Sequence, residues 1–460
     1  MYEIDFSVPA HIHFIGIGGI SMSALAEILK TKGFSISGSD SHASPLTERL
    51  EEEGIRVVIG QKADNITDDI DVVVYTAAVH PDNPEYAAAD EKGLPILSRA
   101  ELLGQIMRNY PTAVAVAGTH GKTTTTSMIA EMLVASDADP TITVGGILPS
   151  IGGNVRIGGS GTFVTEACEY TNSFLSFFPT IALILNVDAD HLDFFKDLDD
   201  IASSFHRFAG LLPEDGTLII GKDSKKYEDV VRDLTCRVVT FGFDPASDYT
   251  AENITFDELG HASFDCVIRG EKAGRISLSV PGRHNILNAL AAAACGRTLG
   301  IPDSIAFKGI GSFTGTNRRF EIKGKLGDIT VVDDYAHHPS EIRATLEAAK
   351  MYPHRDLWLV FQPHTYTRTQ ALLGEFADAL SLADHIVLAD IYAAREKNTI
   401  GISSDDLRAL LAEKGKDAVY FPDFGEIEDY LLEHCAENDL LMTMGAGNVF
   451  EIGEALLGKS

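Results

Sequence analysis

Short apolar runs alternate with amphipathic stretches along the whole chain, and the apolar runs end in glycine or polar residues. That alternation predicts βαβ units, in which parallel sheets are covered by helices. The first series opens with a strand over His11–Ile15 that breaks into Gly16-Ile17-Gly18-Gly19. A helix over Ser21–Lys32 follows, with Met22, Leu25, Ala26 and Leu29 on one face and Gly33 at its stop. Strands over Ser35–Ser39 and Asp71–Tyr75 end at Asp40 and Thr76.

A second series opens with Ala113–Ala117, which runs into Gly118-Thr119-His120-Gly121-Lys122-Thr123. Its later strands, Gly161–Thr165 and Ile181–Leu185, end at Glu166 and Asn186. Segments 217–221, 237–241 and 261–281 are β-rich, and an alanine-rich helix spans Asn285–Leu299. The third series places strands at Ile329–Val332, Leu357–Phe361, His385–Ala389 and Leu440–Met444. The expectation is an α/β chain of three domains, 1–107, 108–317 and 318–460. In all three series the polar and glycine residues gather where strands end. Open α/β sheets bind ligands outside the carboxyl ends of their strands. Three such faces suggest an enzyme that joins several substrates between domains.

A length of 460 residues suits two to four domains. Lys plus Arg is 37 and Asp plus Glu is 67, a net charge of −30. This argues against nonspecific nucleic-acid binding, which needs a basic face to release counterions. It leaves room for a local basic pocket. Five widely spaced cysteines, with no CxxC pair, fit a reducing cytoplasm rather than a disulfide framework or zinc ribbon. The N-terminus lacks the pattern of a signal peptide. No apolar run approaches the ~18 residues of a spanning helix, so no membrane anchor is expected.

The sharpest motif is Gly118–Thr123 between a strand and a helix. Backbone N–H groups in such a loop face an anion, a lysine after the last glycine reaches phosphates, and the next hydroxyl can ligate magnesium. The loop is two residues shorter than the standard GxxxxGK, whose first glycine would fall at Val116. Gly16, Gly18 and Gly19 resemble a dinucleotide fingerprint with Asp40 at the ribose-binding distance, but Ser21 stands at the third glycine position. This favours a phosphate or diphosphate ligand over a nicotinamide cofactor. Glu166, Glu169 and the run Asn186–Asp193 supply carboxylates and His191 near the phosphate loop, where Mg²⁺ would take oxygen ligands. Asn285 and Asn288 are i,i+3 neighbours that can read a base edge, or cap and decorate a helix. Arg318 and Arg319 are adjacent cations, at least one of which is expected to face phosphate. His337, His338, His364 and Arg368 gather donors at strand ends in the last domain.

With these residues in view, the chain resembles the Mur ligase family over its whole length. The matching stretches are HFIGIGGISMSALAE, VAVAGTHGKTTTTSMIAEML, TEACEYTNSFL, NVDADHLDFF, PGRHNILNALAA, TGTNRRFE, DDYAHHPSEI and FQPHTYTRTQ. GIGGxxMSxLA together with DDYAHHP points to the alanine-adding branch. The resemblance implies a Rossmann-like N-terminal domain for a UDP-sugar, a central P-loop-type ATPase domain with a parallel sheet, and a Rossmann-like C-terminal domain that closes over both. It implies ATP, UDP-N-acetylmuramate and L-alanine as substrates, Mg²⁺ as cofactor, and an acyl-phosphate route to the amide in peptidoglycan precursor synthesis.

Residue by residue, it implies that Gly118, Thr119, His120, Gly121, Lys122, Thr123 and Thr124 hold the phosphates. Lys122 would stabilise the transferring group. Thr123 and Glu166 would hold one magnesium, and His191 would help bind a second. His284, Asn285 and Asn288 would meet adenine, Arg318 or Arg319 phosphate, and Asp334 the nucleotide. Gly16, Gly18, Gly19, Ser21, Asp40 and His120 would bind the sugar nucleotide. Tyr335, His337 and Arg368 would face alanine or the muramoyl carboxylate. The sequence departs from commoner family patterns at TEACEY, at Thr365 in place of arginine, and at Gln61 where a Gly-His pair is common. Ser203–Arg207 carries no lysine where several sister ligases have a carbamylated one. The competing readings are a ligase that attaches a whole tripeptide, a dinucleotide-dependent oxidoreductase, and a noncatalytic nucleotide sensor.

Overall fold

The apolar runs form strands, and the strands sort into three sheets. The computed structural model describes residues 2–459 apart from Ala77, Asp193 and Arg395. Asp193, the last residue of the NVDADHLD motif, therefore lies outside the described residues. The first sheet comprises β1 (His11–Ile15), β2 (Ser35–Asp40), β3 (Arg56–Ile59), β4 (Val72–Tyr75) and β5 (Ile96–Ser98), all parallel, in the order β3-β2-β1-β4-β5. Strand order reverses between β1 and β4. That switch point opens a crevice beside the turn at Gly16.

The second sheet comprises β6 (Thr112–Ala117), β7 (Thr141–Leu148), β8 (Gly153–Arg156), β9 (Thr162–Glu166), β10 (Ile181–Ile184), β11 (Thr217–Gly221), β12 (Arg237–Phe241), β13 (Tyr249–Phe256), β14 (His261–Ile268) and β15 (Glu271–Pro281). Its order is β15-β14-β13-β12-β11-β10-β6-β9-β7-β8, parallel in the middle and antiparallel at both edges. The third sheet comprises β16 (Glu321–Leu326), β17 (Ile329–Asp334), β18 (Leu357–Phe361), β19 (His385–Leu388), β20 (Ala418–Tyr420) and β21 (Leu440–Met444), ordered β16-β17-β21-β18-β19-β20. Only β16 in it is antiparallel to its neighbour.

The strands without a clear sequence signal are mostly edges. β3, β16 and β20 each have a single neighbour, and their side chains are half-buried or exposed. β17 runs beyond the expected Val332, so Asp333 and Asp334 lie in the buried strand itself.

Core packing divides the chain unevenly. Leu102 and Ile106 of the helix Arg99–Met107 join Phe174 and Phe205 in one apolar cluster that spans the first two sheets. The third sheet has its own apolar clusters on its two faces. Its seam with the second sheet includes ionic and polar contacts, Arg368 with Asp190 and Ser340 with Asp188 among them. No helix among the described residues is long and apolar enough to cross a membrane.

Candidate functional site

β6 ends at Ala117, and the chain turns through Gly118–Gly121 into the helix Lys122–Ala135. Gly121 adopts φ +85°, and a Cβ there would stand 2.6 Å from Asn288 Oδ1. Glycine thus allows both the left-handed turn and the close approach of the helix His284–Thr298. A reciprocal amide pair clamps the loop. His120 N–H donates to Asn186 Oδ1 at 2.8 Å, and Asn186 Nδ2 donates back to His120 O at 3.0 Å. Thr119 Oγ1 accepts from Asp188 N–H at 2.9 Å.

Lys122 Nζ donates to Gly118 O at 2.6 Å, to Thr119 O at 3.1 Å and to Glu169 Oε2 at 3.0 Å. Burial works against its charge, yet the Glu169 carboxylate raises its pKa above the usual lysine range and keeps it protonated. Thr123 Oγ1 donates to Glu166 Oε2 at 3.0 Å, and Gly145 N–H donates to Glu166 Oε1 at 2.6 Å. His191, at φ +53°, sets Nε2 4.0 Å from Glu169 Oε1 and lies on the Tyr170 ring at 4.6 Å. Lys122, Thr123, Glu166, Glu169 and His191 therefore meet around the ends of β6, β9 and β10. Hydroxyl and carboxylate oxygens side by side at Thr123 and Glu166 fit a hard cation such as Mg²⁺.

Beside this cluster lies a cavity of about 300 Å³ between the second and third sheets. His120, Gly121 and Thr124 face it from the loop, and His284, Asn285 and Asn288 from the following helix. Arg319 and Asp334 close it from the last domain, with Phe241, Phe313 and Phe320 among its apolar walls. Asn288 Nδ2 donates to Asn285 Oδ1 at 2.9 Å, and Asn285 Nδ2 donates to Pro281 O at 2.7 Å. Burial pushes His284 down to about 4, so its ring is neutral at pH 7. Burial pushes Asp334 up to about 6, while its oxygens accept from Phe320 N–H and Ala336 N–H, each at 2.8 Å.

The two adjacent arginines separate. Arg319 lines the cavity, whereas Arg318 is turned away. Arg318 pairs with Asp333 at 3.0 Å and donates to the carbonyls of Gly445 and Gly447. Arg318 thereby ties the ends of β17 and β21 together, and Arg319 is the member of the pair that faces the cavity. φ is +61° at Arg318, so the chain reverses and the two side chains diverge.

Three further residues expected at a substrate lie on the last domain. Tyr335 is flanked by the guanidinium groups of Arg318 and Arg319 at 5.0 and 5.2 Å from its ring. Burial pushes His337 down to about 3, with Nδ1 against Tyr335 O at 3.1 Å. Arg368 reaches across the seam to Asp190 Oδ1 at 3.1 Å. Burial disfavours the charge of Asp190, but Arg368 holds its carboxyl well below the usual range. Thr365, just before the helix that carries Arg368, has φ +65°, a strained value for a β-branched residue.

Asp188 and Glu341 complete the seam. Ser340 Oγ donates to Asp188 Oδ2 at 2.7 Å, and His120 Nδ1 meets Glu341 Oε1 at 3.2 Å. The Asp188 and Glu341 carboxylates outweigh the burial of His120 and push it up to about 9. His120, Asp188 and His338 bring one ligand atom each within 4.8 Å of one another. They do not make a metal site. Ser340 N–H donates to His338 Nδ1 at 3.2 Å, so the ring carries its proton on Nε2, which faces Ala189 O at 2.9 Å. Glu341 carried no distinct sequence signal, because PSEIRATL reads as an ordinary capped helix start.

In the first domain, Gly16–Gly19 leads into the helix Ile20–Thr31. Gly18 N–H donates to Asp40 Oδ2 at 2.9 Å, so this carboxylate ties down the glycine loop, a use besides the expected ribose contact. Ser21 Oγ accepts from Arg99 Nη1 at 3.0 Å. Asn154 Nδ2 donates to Ile20 O at 2.6 Å, which joins this helix to β8.

Comparison with known proteins agrees with this architecture. Residues 11–111 match the model described as Mur ligase family, catalytic domain. Residues 116–296 match the Mur ligase middle domain, and residues 318–447 the Mur ligase, glutamate ligase domain. The UDP-N-acetylmuramate–L-alanine ligase of Lachnospira eligens is 61% identical over 99% of this chain and 100% of its own length. The enzyme of the same name from Agathobacter rectalis is 60% identical over 100% of both chains. Among solved structures, the UDP-N-acetylmuramate-alanine ligase of Thermotoga maritima superposes with a TM-score of 0.82 at 31% identity, covering 98% of each chain. A murein peptide ligase from Psychrobacter arcticus gives 0.73 at 26% identity, again over 98% of each chain.

Proposed function

The chain belongs to the Mur ligase family, and we propose that it joins L-alanine to the carboxylate of UDP-N-acetylmuramate with conversion of ATP to ADP and phosphate. The names of its relatives supply the substrates. The observation that carries the reading is the cavity beside the phosphate loop, closed by Arg319 and Asp334 of the last domain. A nucleotide held there presents its phosphates to Lys122 while the last domain covers it.

A carboxylate is a poor acyl donor, because its carbon is electron-rich and oxide cannot leave. Transfer of the γ-phosphoryl group to a carboxylate oxygen releases ADP and leaves an acyl phosphate. The alanine amine then adds to the acyl carbon, the tetrahedral intermediate collapses, phosphate departs and the amine proton passes to solvent. Such chemistry needs position and charge more than covalent help. Lys122, kept protonated by Glu169, stabilises the transferring group. Thr123 and Glu166 would hold one Mg²⁺ and His191 would help bind a second, and bound Mg²⁺ neutralises charge on the phosphates. Asn285 and Asn288 offer amide groups to adenine, while Arg319 and Asp334 meet the nucleotide from the far side. His337 is neutral, and with Nδ1 turned to Tyr335 O its Nε2 offers an acceptor to an amine. Arg368 and Tyr335 complete the place for alanine or the muramoyl carboxylate.

The test is phosphate release with ATP and Mg²⁺, omitting one substrate at a time. Release that requires both UDP-N-acetylmuramate and L-alanine, with the mass of the joined product, supports the reading. Release only with a tripeptide acceptor moves the protein to the tripeptide-adding branch.

A further inference from the structure

Arg99 links the helix that follows the glycine loop of the first domain to the end of β9 in the second. It opens the helix Arg99–Met107. Its Nη1 donates to Ser21 Oγ at 3.0 Å, in the first turn of the helix that follows the glycine loop. Glu166 and Cys168, at the end of β9, are within its electrostatic reach. Among the described residues it makes no ion pair with a carboxylate. Other partly buried arginines of this chain do. Arg49 holds Glu27 at 2.6 Å, Arg318 holds Asp333 at 3.0 Å and Arg368 holds Asp190 at 3.1 Å. Glu166 accepts instead from Thr123 Oγ1 and Gly145 N–H.

Two physical arguments say this cation is placed for a ligand. Burial lowers the Arg99 pKa, and the nearby Glu166 and Cys168 offset this only in part. A cation in the first turn of a helix also opposes the helix dipole. In a chain of net charge −30 with 67 acidic residues, a carboxylate partner would be easy to supply. Its absence leaves the guanidinium fork open to an oxyanion from outside.

We propose that Arg99 binds the diphosphate of the sugar nucleotide, an assignment that rests on the function proposed above. The Ser21 bond holds the guanidinium at the start of the helix Ile20–Thr31. The N–H groups there and the arginine fork face the same kind of oxygen. The muramoyl carboxylate is the weaker candidate, because it must lie by Lys122 and Thr123 to receive the phosphoryl group. The sequence does not single out Arg99, since LSRAELL reads only as a capped helix start.

The test compares the full-length protein with Arg99→Met and Arg99→Lys. UDP, UDP-N-acetylglucosamine, UDP-N-acetylmuramate and ATP are titrated calorimetrically into each. For Arg99→Met the three UDP ligands are expected to weaken together by about 10- to 100-fold, the range for a lost charge-assisted bond, with ATP unchanged. In turnover, KM for UDP-N-acetylmuramate rises while kcat changes far less. Arg99→Lys keeps the charge but loses the fork, and recovers part of the UDP affinity. If Arg99→Met fails to fold, Arg99→Lys decides, with UDP expected to bind about 3- to 10-fold more weakly than to the wild type. UDP binding equally well to wild type and variant overturns the proposal. Loss confined to UDP-N-acetylmuramate overturns it as well and gives Arg99 to the carboxylate. A wild-type protein that binds UDP but makes no alanine product fails the proposed function while leaving the arginine test readable.

Discussion

Gly145→Ala isolates the position of one carboxylate. Gly145 lies in β7 against Glu166, and its φ is outside the left-handed region, so alanine fits the backbone. The added Cβ would stand 2.9 Å from both Glu166 oxygens and 3.1 Å from its Cδ, where ordinary contact begins at 3.4 Å. The carboxylate must retreat by about 0.5 Å or more, because both oxygens are struck together. That retreat breaks or stretches the 2.6 Å bond from Gly145 N–H and the 3.0 Å bond from Thr123. Bonds to a charged group are worth about 1.5–3 kcal/mol each, but the displaced carboxylate finds water, so the fold should lose only about 1 kcal/mol. Catalysis should lose more. A misplacement of about 1 Å costs about 100-fold, so half of that predicts a drop in kcat of at least about 10-fold. The control is Gly146→Ala, whose Cβ would meet only Thr123 Cγ2 at 3.6 Å and Thr316 Cβ at 3.8 Å. The assay is phosphate release at saturating substrates across a Mg²⁺ titration, with thermal unfolding of all three proteins. Gly145→Ala should need more Mg²⁺ for half-maximal rate, and Gly146→Ala should follow the wild type. Unchanged kcat and Mg²⁺ dependence in Gly145→Ala would refute the idea that Glu166 must sit beside Thr123.

Lys122→Ala should abolish measurable phosphate release and also destabilise the protein by about 3 kcal/mol, because Glu169, 2% exposed, loses its cation; denaturant unfolding of Lys122→Ala and of Lys122→Ala/Glu169→Gln checks this, with the double variant regaining stability but not activity. Asn288→Leu should raise KM for ATP by about 10-fold with KM for alanine unchanged, since it removes an amide from the cavity wall and leaves Asn285 Oδ1 without its donor. His120 gives a pH dependence of definite sign. Its pKa is raised from 6.5 to about 9 by Asp188 and Glu341, so the protonated form stabilises the fold fully below pH 6.5 and that stabilisation is lost as pH rises through about 9. The thermal midpoint should therefore fall between pH 7 and 10, and the fall should be shallower in His120→Asn; equal slopes in both proteins would contradict the assignment.

The sequence by itself determined the sheets' central strands and the loops that follow them. His11–Ile15, Leu357–Phe361 and Leu440–Met444 form strands at the expected bounds, because a short apolar run buried on both faces has few other solutions. Gly118–Thr123 was legible as a tight strand-to-helix turn, because its glycines are local requirements of backbone geometry. Edge strands such as β16 stayed hidden, since half-exposed polar residues carry no such pattern.

Tertiary structure decided how those local pieces are used. Adjacent in sequence, Arg318 and Arg319 part at a left-handed residue, one tying the last domain together and the other facing the cavity. Glu341 meets His120 and Arg368 meets Asp190 only because two separately built sheets face each other. Arg99 makes no ion pair with a carboxylate among the described residues, and the set of neighbours around a charge is fixed by packing across the chain, beyond the reach of any sequence spacing.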